Sequence, residues 1–269
     1  MENIFFDSHA HYNDEKFNED RENIIKAIKD DKIEKTICAG YNIQSSKFAI
    51  ELANKYDNLY ATVGISPNDI PQKEDELWKM LEEIEELISC KKIVAVGEIG
   101  LDYYWQNDNK ELQKKAFIEQ IKIANKYDLP IVIHTREAVN DTLDILKNKI
   151  EVKNKGVFHC CPLNRELIKE ALKLGFYISF AGPVTFKNSK NAEEIANLVP
   201  IEKMLIETDS PYLAPEPKRG TRNDSRNVKL IAKKIAEYRN VSIDEIAKNT
   251  YDNAIRLFKI WKVWNKSVW

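Results

Sequence analysis

Phe5-Phe6-Asp7-Ser8-His9-Ala10-His11 begins with an apolar pair and ends with two histidines one residue apart. In an extended chain residues i and i+2 face the same side, so His9 and His11 project together from the end of a strand. Two imidazoles placed this way can converge on one ion. The chain has four histidines, and the other two, His134 and His159, also close short β-branched or apolar runs.

Such runs recur at 4–6, 36–39, 60–64, 93–97, 131–133, 157–158, 177–180 and 204–206. Near-continuous apolar runs suit strands buried on both faces, as in parallel sheets. Helix-period segments lie between or after them, at 22–29, 77–88, 112–127, 142–146, 166–174, 192–198, 228–238 and 243–258. The alternation has the size and rhythm of a single-domain α/β fold, the (β/α)8 or TIM barrel. A doubly wound open sheet is the alternative. No GxGxxG follows the first run, and Gly97-Glu98-Ile99-Gly100 is too short to count, so dinucleotide binding has no support.

Composition is that of a globular chain: 269 residues, 43% hydrophobic and 31% charged. A net charge of −2 gives no global positive field, so a polyanionic substrate must be held by local charge. Cys38, Cys90, Cys160 and Cys161 show no CxxC spacing and are expected to be reduced and buried. With no signal peptide and no long apolar run, the expected setting is cytoplasmic, away from membranes, and the expected state is a monomer.

His9 and His11 follow the first run, Glu98 ends the fourth, and His134 ends the fifth. His159 ends the sixth and Asp209 the eighth. All six therefore sit at the C-terminal ends of predicted strands, where barrel enzymes build their sites. Imidazoles with carboxylates suit Zn²⁺, Mn²⁺, Fe²⁺ or, with more oxygen and water, Mg²⁺. Six donors exceed the needs of one ion, so two ions sharing a carboxylate fit better, and hydrolysis is the natural reaction class.

The blocks Asp7-Ser8-His9-Ala10-His11, Val96-Gly97-Glu98-Ile99-Gly100-Leu101-Asp102-Tyr103 and Ile133-His134-Thr135-Arg136 resemble the TatD family of metal-dependent hydrolases. So do Gly156-Val157-Phe158-His159-Cys160, Gly182-Pro183-Val184-Thr185-Phe186-Lys187-Asn188 and Glu207-Thr208-Asp209-Ser210-Pro211-Tyr212-Leu213-Ala214-Pro215. The resemblance implies two divalent cations (Mg, Mn or Zn) and phosphodiesterase activity on DNA, in particular 3′-exonuclease activity on single-stranded ends. It further implies that His9, His11 and Asp209 hold one ion, that His134 and His159 hold the other, and that Glu98 bridges. Glu98 and Asp209 are then the catalytic carboxylates, Asp209 also accepting a proton from the attacking water. Glu207 is a candidate for orienting a ligand.

Arg136, Lys187, Arg219 and Asn223 are the candidate substrate contacts; Lys218, Arg222 and Arg226 add charge after the eighth run. Tyr103, Tyr104 and Trp105 are expected to pack beneath their loop, with base stacking as the alternative. Two stretches depart from the family pattern. Gly64-Ile65-Ser66-Pro67-Asn68 stands where the family has Gly-Ile-His-Pro-His, and Cys161-Pro162-Leu163-Asn164 replaces a Phe-Ser-Gly-Ser-like turn. Alternatives to the DNase reading are hydrolysis of small phosphoesters, amides or aminoacyl esters, and a non-catalytic metal- or nucleic-acid-binding barrel. The barrel is expected to span 1–258, and 259–269, with Trp261 and Trp264, is read as an extension packing on it.

Overall fold

Every one of the apolar runs becomes a strand in the computed structural model, which describes residues 3–260. They are β1 (Phe5–Ala10), β2 (Ile33–Ala39), β3 (Leu59–Val63), β4 (Ile93–Asp102), β5 (Ile131–Arg136), β6 (Gly156–Phe158), β7 (Tyr177–Phe180) and β8 (Met204–Ile206). The strand order follows the sequence and each strand pairs in parallel with the next. Ala10 bridges Ser210 just past β8, which brings the last strand round to the first. The fold is a TIM barrel. In a doubly wound sheet the strand order would reverse partway, and here it does not.

The helices are α1 (Arg21–Asp30), α2 (Ile43–Lys55), α3 (Glu74–Leu87), α4 (Lys110–Lys126), α5 (Val139–Asp144), α6 (Arg165–Lys173), α7 (Ala192–Leu198), α8 (Val228–Arg239) and α9 (Ile243–Leu257). In α3, Leu77, Leu81 and Ile84 form one buried stripe, and Glu74, Asp75 and Glu76 place negative charge at the positive end of the helix dipole. The sequence reading lacks α2, whose apolar stripe is diluted by Ser45 and Ser46. Its start is instead marked by a reciprocal cap. Asn42 accepts the Ser45 N–H at 2.9 Å, and Ser45 Oγ accepts the Asn42 N–H at 2.8 Å.

Inside the barrel, one side chain or more from every strand forms a floor: Phe6, Ile37, Tyr60, Val94, Val132, Val157, Tyr177 and Leu205. The end of α9 closes it from below with Leu257, Phe258 and Ile260. A larger cluster fills the space between strands and helices. The barrel's packing thus runs past the expected boundary at 258: Ile260 is buried, and Lys259 Nζ donates to Asp128 Oδ2 at 2.8 Å. The expected packing of Trp261 and Trp264 lies outside the described residues.

Strand parity places the upper layer. In β5, β6 and β8 the residue two beyond the floor residue is polar: His134 after Val132, His159 after Val157, Glu207 after Leu205. β1 needs a register slip to match. Between the pairs Asp7↔Thr36 and Ala10↔Cys38, three residues of β1 advance against two of β2. That extra residue lets Ser8 and His9 both face inward, Ser8 Oγ lying 3.2 Å from Ser179 Oγ, and puts His11 rather than Ala10 on the same side. β4 does likewise, three residues against two between Val96↔Ile131 and Ile99↔Ile133, at the level of Glu98. Gly100, at φ 141° opposite His134, tolerates no side chain, since a Cβ there would lie 2.0 Å from the His134 carbonyl oxygen.

No helix among the described residues is long and apolar enough to cross a membrane. All four thiols are free. Cys38 and Cys161 are buried as expected, but Cys90 and Cys160 are partly exposed, a correction to the sequence reading.

Candidate metal centre

Above the floor the sequence-nominated donors meet. His9 Nε2 and His11 Nε2 are 3.2 Å apart, and Asp209 Oδ1 lies 3.8 Å from the first and 3.3 Å from the second. Across the cavity, His134 Nδ1 and His159 Nε2 are 3.3 Å apart. Glu98 stands between the two groups. Its Oε2 lies 3.4 Å from His9 Nε2 and 3.8 Å from His11 Nε2, while its Oε1 lies 3.0 Å from His134 Nδ1 and 3.4 Å from His159 Nε2. One carboxylate therefore shows one oxygen to each pair. Asp209 reaches in from a left-handed backbone (φ 56°), a conformation Asp adopts more readily than most residues. Its N–H is held by the His9 carbonyl at 2.9 Å.

The outer nitrogens explain why the inner ones are available. His11 Nδ1 is 3.2 Å from the Ala39 carbonyl, His159 Nδ1 is 3.3 Å from Glu207 Oε1, and His134 Nε2 is 3.0 Å from Asp102 Oδ2. Each acceptor fixes the proton of a neutral imidazole on the outside and turns a lone pair inward. In that form His134 Nδ1 and His159 Nε2 oppose two lone pairs at 3.3 Å, a contact that a cation between them or a proton on either ring relieves. Nitrogen and carboxylate donors around such a space fit a divalent cation.

Protonation in the bare protein follows the same logic. Burial works against charging His159, but the Glu98 charge and then the Glu207 hydrogen bond raise it well above the usual imidazole range. His134 is raised by Asp102 and Glu98, and His11 by Asp209, each against burial. Burial next to His159, its ring stacked at 4.1 Å, lowers His9. Burial alone would raise Glu98, yet the surrounding imidazoles hold it well below the usual carboxylate range; Asp209 is lowered similarly, chiefly by His11. A cation binding these nitrogens would have to displace their protons.

Two carboxylates in the motifs carry roles that the sequence reading did not give them. Asp102, the last residue of β4, is fully buried and orients His134 while its Oδ1 accepts the N–H groups of Tyr104 and Trp105 at 2.9 and 3.0 Å. Asp7 accepts the Thr208 N–H at 2.9 Å and the hydroxyls of Thr208 and Ser225, each at 2.5 Å. Their position in β1 and β4 beside the donors was the available signal. Asp102→Asn keeps the shape but loses the charge that holds the His134 proton. Metal affinity is expected to fall roughly 10- to 100-fold with an unchanged melting temperature. Competition with a chelating dye measures it, and unaltered affinity would remove Asp102 from this role.

The substrate-side residues divide. Asn223 is a correction: it is fully buried, its Nδ2 donating to the carbonyls of Thr208 (2.8 Å) and Tyr212 (2.7 Å), so it braces the loop after β8 instead of meeting substrate. Arg222 pairs with Asp20 at 2.5 and 2.8 Å, and Arg226 pairs with Asp224 at 2.8 Å through two nitrogens. Both are engaged structurally. Arg136 and Arg219 are exposed and lie on aromatic rings, 4.1 Å from the centre of Tyr104 and 4.3 Å from that of Phe186. Lys187 is exposed beyond β7.

Glu207, fully buried, sits on His159 and the Cys160 N–H (2.7 Å). Tyr103 packs as expected, but Tyr104 and Trp105 are exposed and correct that reading. Ser66 is buried and donates to Asp69 Oδ2 at 2.9 Å; Asn68 Nδ2 reaches Asp102 Oδ2 at 3.5 Å. In the second divergent stretch, Asn164 caps α6, accepting the Leu167 N–H at 3.0 Å.

Residues 6–259 match the family model described as TatD related DNase. The chain is 41% identical over 259 residues to YabD of Bacillus subtilis, an uncharacterized metal-dependent hydrolase, covering 96% of this chain and 100% of that one. Among solved structures it resembles YjjV, a TatD homologue from Escherichia coli, with a TM-score of 0.88 and 27% identity over 95% of this chain and 98% of the other. A TatD family hydrolase from Entamoeba histolytica gives a TM-score of 0.83 at 25% identity, covering 96% and 98%. Donor set, fold and similarity agree, and the chain belongs to the TatD-related DNase family of metal-dependent hydrolases.

Proposed function

We propose that the protein is a phosphodiesterase that removes nucleotides from the 3′ end of single-stranded DNA, using two divalent cations. The observation that carries the reading is Glu98, whose two oxygens face two separate histidine pairs. His9, His11 and Asp209 would hold one cation, His134 and His159 the other, with Glu98 shared. Bound there, the pair would polarise the phosphodiester and lower the pKa of the attacking water. Asp102, Glu207 and the Ala39 carbonyl keep the imidazole lone pairs aimed inward. Asp209, ionised and with Oδ1 turned to His11, is placed to take the proton of the attacking water. Arg136 and Arg219 supply donors for phosphate oxygens.

The test uses protein stripped and reloaded with Mg²⁺, Mn²⁺ or Zn²⁺, offered 3′- and 5′-labelled single strands beside bis-p-nitrophenyl phosphate. Stepwise shortening from the 3′ end is expected, with two metal equivalents per chain. The double variant His9→Ala with His11→Ala is expected to retain one equivalent and its fold. Cleavage of the small ester alone would favour a small-phosphoester hydrolase, and full metal content in the double variant would refute the assigned donors.

A further inference from the structure

Past β4 the chain turns over the C-terminal face of the barrel and displays two aromatic rings. Trp105 is 65% exposed and Tyr104 49%, the largest values for any large hydrophobic side chain among the described residues. Uncovered apolar surface of this size beside a candidate active site calls for an occupant. The rings meet edge to face at 4.7 Å. Arg136 lies over Tyr104 at 4.1 Å and 5.6 Å from the centre of Trp105. Unlike Arg222 and Arg226, Arg136 has no carboxylate partner among the described residues. With Tyr104 partly covered by the guanidinium, the indole is the open face.

The cluster is fixed to the metal centre. Asp102 Oδ1 holds the N–H groups of Tyr104 and Trp105, and Oδ2 of the same side chain holds His134. Arg136 pairs in register with Asp102 and follows His134 by two residues, on the same side of β5. A flat apolar face and an unpaired guanidinium complement an unpaired base and its phosphate. A base pair within a duplex hides that face, and a small phosphoester has no base to offer.

We infer that Trp105, backed by Tyr104 and Arg136, is a stacking subsite for the unpaired nucleobase next to the phosphodiester at the metal centre. This rests on the phosphodiesterase reading above. It assigns specificity for single strands to the turn after β4, and Arg136 to the phosphate on the far side of that base.

Metal-loaded full-length protein and its Trp105→Ala and Trp105→Phe variants are compared on a single-stranded oligonucleotide and on the same oligonucleotide with an abasic residue beside the scissile bond. Trp105→Ala is expected to raise KM for the normal strand roughly 5- to 150-fold, the range stacking on one base supplies, with kcat nearly unchanged. Trp105→Phe should recover most of it. Removing the base and removing the indole should give coinciding losses that do not add. An unaltered KM, or equal losses on both strands, would overturn the subsite, the second pattern marking a purely structural role. Wild-type protein that hydrolyses bis-p-nitrophenyl phosphate but neither strand would overturn the DNA reading and the subsite together. Loss of kcat alone would place Trp105 in the metal centre's support and also refute stacking.

Discussion

Glu98→Gln is expected to lower hydrolysis by about a thousandfold, equivalent to about 4 kcal/mol of transition-state stabilisation. The carboxylate is 7% exposed and addresses all four imidazoles, at 3.0 to 3.8 Å. Glutamine fills the same volume but has one oxygen and one NH2, so one histidine pair must face N–H donors where it had an acceptor. That pair loses both its shared donor atom and the charge that compensates a cation. Elemental analysis should find no more than one metal equivalent per chain, and kcat should fall with it. Activity within tenfold of wild type, at two equivalents, would sink the bridging role.

The largest effect on stability belongs to Asp7→Ala, expected to cost about 3 kcal/mol and to lower the melting temperature by roughly 6–12 °C. Asp7 is fully buried, and that burial pushes its carboxyl up to about 7 while the hydrogen bonds from Ser225 and Thr208 oppose the rise. The side chain ties β1 to the segment after β8 and to the entry of α8, across the seam where the barrel closes. Alanine leaves a cavity and deprives the buried Thr208 N–H of its acceptor. Thermal unfolding followed by circular dichroism measures the loss. A shift of only a degree or two would show that the Ala10–Ser210 bridge and the outer helices hold the seam unaided.

The strands were legible because burial on both faces writes a local apolar signature, and the donors because strand ends place them together. Register was not. That His9 faces the cavity together with Ser8 depends on a slip between β1 and β2, and no property of Ser8 announces it. α2 escaped because its start is coded by a polar cap while Ser45 and Ser46 interrupt its stripe. Asn223, Arg222 and Arg226 show a different limit. Composition marks a basic, polar loop, but only tertiary pairing shows that Asn223 braces backbone and that two arginines face Asp20 and Asp224. Asp102 stood in the motif Gly-Leu-Asp-Tyr, one residue from the turn. Its partner His134 is 32 positions away, beyond the reach of any local pattern.

The extra residues in β1 and β4 also constrain how the gene can change. Between Asp7 and Ala10, and between Val96 and Ile99, the chain carries one residue more than its neighbour needs. Even pairing of these same residues would rotate His9 and His11, or Glu98, toward the helices, whereas loss of the one extra residue evens the ladder and leaves the residues beyond it facing as before. An evenly paired barrel would encode His9, His11 and Glu98 and turn all three away from the cavity. What a lineage of this protein must keep in these two strands is therefore either the slip or a strand one codon shorter, since both leave the donors on the cavity side.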